Sequence, residues 1–394
     1  MLNLRLMGLL GVAVEVASSA GRRIVLNLRL MGLLGGLVAA SAAAPDHAPH
    51  WRMQYFYDQD KSTLVITDLQ FPSPTRGVAV GAIVEGKSRK PVALVTSDAG
   101  AHWIRVDLEE NPVSVSFLNE SLGWMVTDRG LWSTTEVGRN WHKMAKPSAD
   151  LLRVLFLDEK HGFGVGFKKK VIETVDGGEH WTPVDAAAEP PGDVNFSVYN
   201  WIAFPTPRDG IISGLNLPPQ RVEQQFPDWM DPEDAMRQRS TPHLSYSLST
   251  HNGGESWNAG ATSLFGEISR IRLLPDGNGI GLIEYANSFA YPAEVKQINW
   301  HTGKSDTIYR DKRFHVTDVW LTPGGAAYLA GTQVMGQIHD VIPGKVQVLR
   351  STDMSVWAEM DVDYRAAAGR AMLAGSGENL WMATDSGMIL KLEQ

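Results

Sequence analysis

The stretch Gly162-Phe-Gly-Val-Gly166, followed by Thr174-Val-Asp-Gly-Gly-Glu-His-Trp181, carries the pattern that decides the fold. The first part is a short apolar strand between two glycines, and the second is typical of a tight hairpin turn. In such a turn the Asp side chain accepts backbone N–H hydrogen bonds, a Gly takes the positive φ, and the Trp returns into the sheet. We therefore interpret Asp176 as a structural carboxylate.

The same turn motif recurs along the chain. Each copy has an Asp, Glu or Asn, then a Gly two residues later, then a Trp three residues after that Gly. The complete copies are Asp98, Gly100 and Trp103; Glu136, Gly138 and Trp141; Asp176, Gly178 and Trp181; and Asn252, Gly254 and Trp257. Degenerate copies surround Asp353 and span Thr384 to Gly387. We expect the closing tryptophans to be core residues.

A second pattern recurs without internal gaps. An apolar anchor is followed six residues later by a position that is usually Gly, and ten residues later by the end of a short apolar strand. The anchors are Phe71, Phe117, Phe156, Phe204, Leu273, Leu321 and Leu373. Most successive anchors are about 40 to 50 residues apart, which is the length of one propeller blade. The sequence predicts an all-β fold, a seven-bladed β-propeller of four-stranded antiparallel blades.

The two ends of this propeller are predicted to meet in one blade. The last strand runs from Gly387 to Leu392, and Met53 to Tyr57 form a spare apolar segment before the first blade. An N-terminal strand that completes the last blade would close the ring and remove both open edges. We expect residues 45–394 to form a single domain with an insertion at 215–243.

Residues 1–44 have the features of an export signal. Arg22 and Arg23 precede an apolar run, and the small residues Ala42 to Ala44 follow it. The stretch that starts at Leu2 is repeated from Leu26, which suggests a duplicated leader. We expect an exported protein, periplasmic or secreted, or in the thylakoid lumen if the host is photosynthetic. Retention by an uncleaved signal anchor is the alternative.

Composition excludes several function classes. The chain has 394 residues, 43% of them hydrophobic, with no Cys and a net charge of −8. The absence of Cys removes thiol chemistry, and the acidic balance argues against nucleic-acid binding. Gly81 to Ser88 match a phosphate-loop pattern by letter, but a strand-like segment follows where that site needs a helix. The 11 histidines show no metal-ligand spacing. We expect no cofactor, no metal and no nucleotide.

These repeats resemble the Asp-box, or bacterial neuraminidase repeat, propellers. More closely they resemble the photosystem II assembly and stability factor family, and Gly162 to Trp181 are the best local match. The resemblance covers residues 60–392. It implies an exported, non-catalytic scaffold that binds another exported or membrane protein during complex assembly. We expect a monomer.

The best candidate for a binding site is a set of residues three positions before the anchors, on the strands that line the channel. They are Asp68, Arg153, Trp201, Arg270, Asp318 and Arg370. Three arginines converging at one mouth would suit carboxylates of a ligand or partner. Alternatively, each arginine pairs with Asp68, Asp318 or a backbone carbonyl between blades. In the insertion, Phe226 and Trp229 offer apolar anchors for a partner, or belong to a flap packed on the rim.

The alternative function is a glycan-active propeller, a sialidase-like glycoside hydrolase or a lectin, because Asp-box repeats also occur in such proteins. The Phe/Tyr-Arg-Ile-Pro signature of sialidases is absent. Glu284 and Tyr285, an adjacent pair of the required residue types, point to opposite faces of a strand. A glycosidase would present two carboxylates about 5 to 10 Å apart beside a sugar-sized pocket. No motif requires an enzyme.

Overall fold

The computed structural model describes residues 48–145, 150–218, 242–285, 289–333 and 344–394. The chain from His47 to Gln394 forms one compact unit, and its strands form seven sheets. In six of the sheets the strand order follows the chain, so neighbouring strands are antiparallel and joined by hairpins. The predicted seven-bladed β-propeller is confirmed.

Blades 1 to 6 each contain four strands, numbered here from the channel outward. They are β2 Thr63–Gln70, β3 Gly77–Glu85, β4 Ser88–Thr96 and β5 Ile104–Asp107 in blade 1; β6 Pro112–Phe117, β7 Gly123–Thr127, β8 Gly130–Thr134 and β9 His142–Lys143 in blade 2; β10 Leu151–Phe156, β11 Gly162–Gly166, β12 Val171–Thr174 and β13 Thr182–Pro183 in blade 3; β14 Ser197–Ala203, β15 Gly210–Asn216, β16 His243–Thr250 and β17 Asn258–Leu264 in blade 4; β18 Gly266–Leu273, β19 Asn278–Tyr285, β20 Ala293–Asn299 and β21 Lys304–Arg310 in blade 5; and β22 Phe314–Leu321, β23 Ala327–Gln333, β24 Val346–Ser351 and β25 Ala358–Glu359 in blade 6.

Blade 7 joins the two ends of the chain. Its strands are β27 Ala371–Ser376, β28 Asn379–Thr384, β29 Met388–Glu393, the N-terminal β1 His50–Phe56 and the short β26 Asp361–Val362. β1 pairs antiparallel with β29, with His50 opposite Glu393 and Phe56 opposite Met388. The predicted closure by an N-terminal strand agrees with this sheet, which has five strands where four were expected.

Helical structure is minor in the described residues. Two short 3-10 helices, Asp185–Ala188 and Val194–Phe196, lie between blades 3 and 4. No helix in the described ranges is both long and apolar enough to span a bilayer. The phosphate-loop lookalike falls in the hairpin between β3 and β4, where Glu85 pairs with Ser88. No helix follows Lys87, so the phosphate-loop geometry is not formed.

The glycine six residues after an aromatic anchor makes room for the anchor ring. A Cβ added to Gly77 would lie 2.4 Å from the Phe71 ring, and one added to Gly162 would lie 2.6 Å from the Phe156 ring. These distances are well inside van der Waals contact, so a side chain here would displace the ring. The repeat therefore records a packing constraint.

The glycine ten residues after the anchor makes room for backbone. A Cβ on Gly166 would lie 1.9 Å from the carbonyl oxygen of Asp150, and one on Gly331 would lie 1.9 Å from that of His315. At this level the inner strands of blades 1 to 6 contain a β-bulge, seen as a register shift in their pairing with the second strand. A bulge bends the strand and redirects the residue that follows it.

Aromatic stacking joins neighbouring blades. The Trp381 ring from the second strand of blade 7 stacks on Phe71 of blade 1, with centroids 3.6 Å apart, and Trp124 of blade 2 stacks on Phe156 of blade 3 at the same distance. The tryptophan of the turn motif then meets the anchor edge-on, as Trp103 does with Phe71 at 6.0 Å. Phe71 and Phe156 are thus each held from two sides.

The turn tryptophans are less buried than expected. Trp103, Trp141, Trp181 and Trp257 are partly exposed, because each covers an anchor ring from the blade's rim. Among the residues that the structure describes, the tryptophans with at most 2% exposure are Trp51, Trp124 and Trp381, all within blade strands.

The turn motifs hold themselves together by local hydrogen bonds. Asp98 Oδ1 accepts from the His102 backbone N–H at 2.9 Å, Asp98 Oδ2 lies 2.7 Å from His102 Nδ1, and Thr96 Oγ1 accepts from the Gly100 N–H at 3.0 Å. Gly100 has a φ of +93°. Asp176 makes the equivalent contacts with His180. These carboxylates serve their own turns.

The degenerate copy assigned to Thr384–Gly387 is wrong. These residues form the turn between β28 and β29, the second and third strands of blade 7, whereas the complete copies follow the third strand of a blade. The copy at Asp353 does follow a third strand, β24, and Asp353 Oδ1 accepts from the backbone N–H of Ser355 and Val356 at 2.9 Å.

Replacing Trp124 with Ala should destabilise the fold by about 3 to 5 kcal/mol, because it deletes a buried ring that bridges two blades. Trp181→Ala removes a partly exposed ring from the same anchor and should cost less. Denaturant unfolding of both variants measures the difference. A loss from Trp181→Ala as large as that from Trp124→Ala would contradict the bridging role of Trp124.

The turn carboxylates should add a pH-dependent part of the stability. The backbone and side-chain hydrogen bonds from His102 lower the pKa of Asp98 to about 2, from an ordinary 3.8. The contribution is therefore complete above pH 3.8 and is lost as the pH falls through about 2. Asp98→Asn should be less stable than wild type at neutral pH, and the difference should shrink between pH 4 and 2. A pH-independent difference in denaturant unfolding would argue against the assignment.

Candidate functional site

The inner strands of all seven blades enclose one cavity of about 170 Å³, called the channel pocket here. Its polar and aromatic lining comes mainly from β2, β10, β14, β18 and β22. The residues are Asp68, Gln70, Arg153, Trp201, Arg270, Arg272, Asp318 and Trp320. Five of the six residues predicted for the channel mouth are thus brought together, while Arg370 is not among them.

Strand alternation explains both the correct and the missing residues. Side chains at positions two apart on a strand share one face, so the residues three and one before an anchor both face the channel. The sequence prediction used only the first of these positions. It therefore found Arg270 and Asp318 but missed Arg272 and Trp320, their neighbours on the same face. The two-residue alternation of a β-strand would have identified both positions from the sequence.

Trp201 is the centre of the channel pocket. The guanidinium carbons of Arg153, Arg270 and Arg272 lie 4.4, 4.9 and 5.2 Å from the Trp201 ring centroid. Arg272 also lies 4.5 Å from the Trp320 ring. Such cation–π contacts favour keeping the arginines charged inside the channel.

The two carboxylates of the pocket link adjacent blades. Asp68 accepts backbone N–H hydrogen bonds from Leu69 and, across to blade 2, from Val115, both at 3.0 Å. Its Oδ2 also lies 3.5 Å from Arg153 Nη1. Most of the hydrogen-bonding capacity of Asp68 is therefore used by the scaffold.

Asp318 repeats this arrangement between blades 6 and 7. It accepts from the backbone N–H groups of Val319 at 2.8 Å and Leu373 at 2.9 Å. Its Oδ1 lies 3.4 Å from Arg270 Nε. The alternative raised from the sequence, that these arginines pair with carboxylates between blades, describes the geometry of Arg153 and Arg270.

Arg272 differs from the other two arginines. It forms no ion pair with any described residue within 4.0 Å, and its buried Nε has no hydrogen-bond partner among them. Burial lowers the pKa of Arg272, and burial lowers that of Arg153 to about 10. Both stay protonated at neutral pH. Among the residues that line the pocket, three guanidinium groups face two carboxylates, which is a formal excess of one positive charge.

Arg370 lies elsewhere, and the expected convergence of three arginines is corrected. β27 pairs with β28 without the bulge of the other blades, and Arg370 precedes its first residue, Ala371. Arg370 Nη2 lies 3.3 Å from Glu284 Oε2 at the end where the inner strands begin. The prediction aligned blade 7 with the other blades without a gap. Because blade 7 lacks the bulge, this alignment placed Arg370 in the channel pocket by mistake.

The surroundings of Arg370 form a second charged cluster. Glu284 Oε1 lies 3.4 Å from His315 Nε2, and Glu284 stands opposite Glu267 across the β18–β19 pair. Burial acts to raise the pKa of Glu284, but the His315 contact and the charge of Arg370 lower it below its ordinary value. Burial and then the charge of Glu284 raise the pKa of Glu267. This cluster connects blades 5, 6 and 7.

The insertion and the rim hold two further sets of residues that bear on binding, of which only the first was predicted. Phe226 and Trp229, the aromatic residues of the insertion, lie outside the described residues. At the rim, Asp176, Glu179 and His180 bring potential ligand atoms within 4.8 Å of one another, but all three are exposed. The contact of Asp176 with His180 belongs to the turn described above, so it needs no metal to explain it.

Comparisons with known proteins agree with the motif analysis. Residues 143–214 match a family model described as photosynthesis system II assembly factor YCF48. A curated relative, the photosystem II assembly lipoprotein Ycf48 of Synechococcus sp. (strain CC9902), is 28% identical over 158 residues, which are 36% of this chain and 46% of that protein. The match thus spans about half the length of this relative.

Solved structures show the same fold. A structure of YCF48 bound to D1 peptide has a TM-score of 0.55 at 15% identity, over 86% of this chain and 99% of that one. YCF48 from Cyanidioschyzon merolae has a TM-score of 0.53 at 16% identity, over 87% and 98%. Virginiamycin B lyase from Staphylococcus aureus reaches 0.51 at 10% identity, over 88% and 100%. The predicted resemblance to photosystem II assembly factor-like propellers is confirmed.

Proposed function

We propose that this propeller is an exported assembly scaffold that binds a carboxylate-bearing segment of another exported or membrane protein in the channel pocket, and that it performs no chemistry. The observation that carries the proposal is the unpaired charge of Arg272. A half-buried guanidinium whose buried Nε has no hydrogen-bond partner and which has no carboxylate partner is costly unless a ligand supplies one. The planar donor fork of arginine suits a carboxylate.

The pocket is built to position that ligand. Arg272 is held between the rings of Trp201 and Trp320, and Arg153 and Arg270 are fixed by Asp68 and Asp318. The groups that would meet the carboxylate are therefore ordered before binding, which lowers the entropic cost of association. Arg370, at the other end of the channel, belongs to this proposal only if the partner is long enough to reach both ends.

The carboxylates of the channel pocket favour binding over hydrolysis. Asp68 and Asp318 each accept two backbone N–H hydrogen bonds and contact an arginine, so the scaffold already engages their oxygens. The cavity of about 170 Å³ is also below the usual range for small-molecule sites, about 300 to 1,000 Å³. These features support the scaffold over the glycan-active alternative.

The similar proteins also support a role as a scaffold in complex assembly. One neighbour is a YCF48 bound to D1 peptide, and the curated relative is described as an assembly lipoprotein. By extension, the partner of this chain would be a membrane protein in a complex under assembly, and residues 1–44 would direct export. The family-model match includes Arg153 but ends before Arg270 and Arg272, so the carboxylate site is argued from the geometry of this chain.

Arg272→Ala should abolish or strongly weaken capture of the partner, whereas Arg272→Lys should retain part of it, because Lys keeps the charge but loses the planar fork. The measurement is fluorescence anisotropy of a labelled D1 peptide against the full-length protein, beside a pull-down from the membrane fraction of the host. A second peptide with its carboxylates amidated tests the recognised group. Arg129→Ala, a change of an exposed surface arginine, serves as the control.

Thermal unfolding of each variant separates lost binding from lost fold. The Arg272 side chain makes no hydrogen bond or ion pair with the described residues. Arg272→Ala should therefore lose only the contacts with the Trp201 and Trp320 rings and should still fold. Equal binding of the acidic and amidated peptides would contradict carboxylate recognition. Undiminished capture by a folded Arg272→Ala variant would remove the channel pocket as the site.

A further inference from the structure

The outer edge of blade 4 differs from the other outer edges that the structure describes. β17 has seven residues, and all seven pair with β16 on their inner side. The outer strands β9, β13 and β25 have two residues each, and β5 has four. Short edges are one way in which sheets avoid pairing with other chains.

The sequence of β17 differs from that of β21, the other outer strand of seven residues in the described blades. β21 also has seven residues, but Lys304, Asp306 and Arg310 place charges along it. The sequence of β17 is Asn-Ala-Gly-Ala-Thr-Ser-Leu, with no charge and no proline. Charged side chains and prolines are the usual protection of an exposed edge. β17 is therefore protected neither by a short length, as β5, β9, β13 and β25 are, nor by charged side chains, as β21 is.

No strand that the structure describes pairs with the outer side of β17, although β17 contacts the 3-10 helix Asp185–Ala188. Within the described ranges, no backbone hydrogen bond connects it to a strand other than β16. In an antiparallel pair, alternate residues direct their N–H and C=O groups away from the partner strand. Residues Asn258, Ala261, Thr262 and Ser263 are exposed. The outward backbone donors and acceptors of β17 therefore lie on a largely exposed edge and are not paired with any described strand.

The strand is complementary to itself. An antiparallel pairing about a two-fold axis through Ala261 places Asn258 opposite Leu264 and Gly260 opposite Thr262 of the second copy. The opposed side chains are small or uncharged, so no like charges meet. The same operation on β21 would place Lys304 opposite Arg310, and like charges directly opposite are destabilising.

We propose that two copies of this protein associate through antiparallel pairing of β17, which joins the two blade 4 sheets into one continuous sheet. A seven-residue ladder is smaller than a standard interface of about 1,200 to 2,000 Å². The dimer is therefore weak and depends on concentration. This differs from the monomer expected from the sequence, in which the length of this edge was not recognised.

The absence of cysteine allows a direct test. Opposite Cα atoms in an antiparallel pair are about 4.5 to 5.5 Å apart, inside the range that a disulfide spans. Ala261→Cys introduces the sole thiol of the chain, on the proposed axis. Under mild oxidation the full-length variant should form a covalent dimer several-fold faster than Asp306→Cys, which places an exposed thiol on the β21 edge.

Sedimentation velocity over a concentration series tests the same contact without a cross-link. Wild type and Ala261→Ser should both dimerise as concentration rises, and Ala261→Lys should not, because it brings two ammonium groups together on the axis. A monomer at every concentration, with cross-linking of Ala261→Cys no faster than the control, would overturn the proposal. If Ala261→Lys instead weakens capture of the partner protein while wild type stays monomeric, the edge accepts a foreign strand and the second copy is the wrong occupant.

Discussion

In blades 1, 3 and 4 the contact with the preceding blade depends on the aromatic anchor of the inner strand. Phe156 is stacked by Trp124 from the preceding blade and covered edge-on by Trp181 from its own turn motif. The ring fits because Gly162 has no side chain beneath it. Three separate sequence signals, the anchor, the glycine and the turn tryptophan, thus serve one packing site, which recurs around Phe71 and Phe204.

The bulge in the inner strand connects this packing to the channel. Because the chain shifts register just before Arg153, Trp201 and Asp318, these side chains turn toward the axis and reach the next blade. Asp318 bonds the backbone N–H of Leu373, and Trp201 Nε1 donates to the carbonyl of Ile271 at 2.9 Å. The same position therefore supplies both the hydrogen bonds between blades and the lining of the channel. A residue at this position therefore contributes to the contact between blades whether or not it also binds a ligand.

This double role sets the limit of what the sequence could predict. The fold could be predicted from the spacing of the anchors and from the positions of the glycines, because both reflect steric requirements that recur from blade to blade. The site followed only in part. Arg153 and Arg270 were found because their blades carry the bulge, but Arg370 was misplaced because blade 7 lacks it and closes β27 to β28 with a two-residue turn at Gly377 and Glu378.

The spacing of residues in the sequence could not show which charged side chains form ion pairs. Nothing in the sequence distinguishes an arginine held by Asp68 from one left without a carboxylate, because the partner lies two blades and 85 residues away. Arg272 emerges only when the ion pairs of its neighbours are known. The other residues one position before an anchor are Gln70, Ser116, Leu155, Ala203, Trp320 and Met372. None of these residues adds a formal charge, so Arg272 provides the excess charge of the channel pocket.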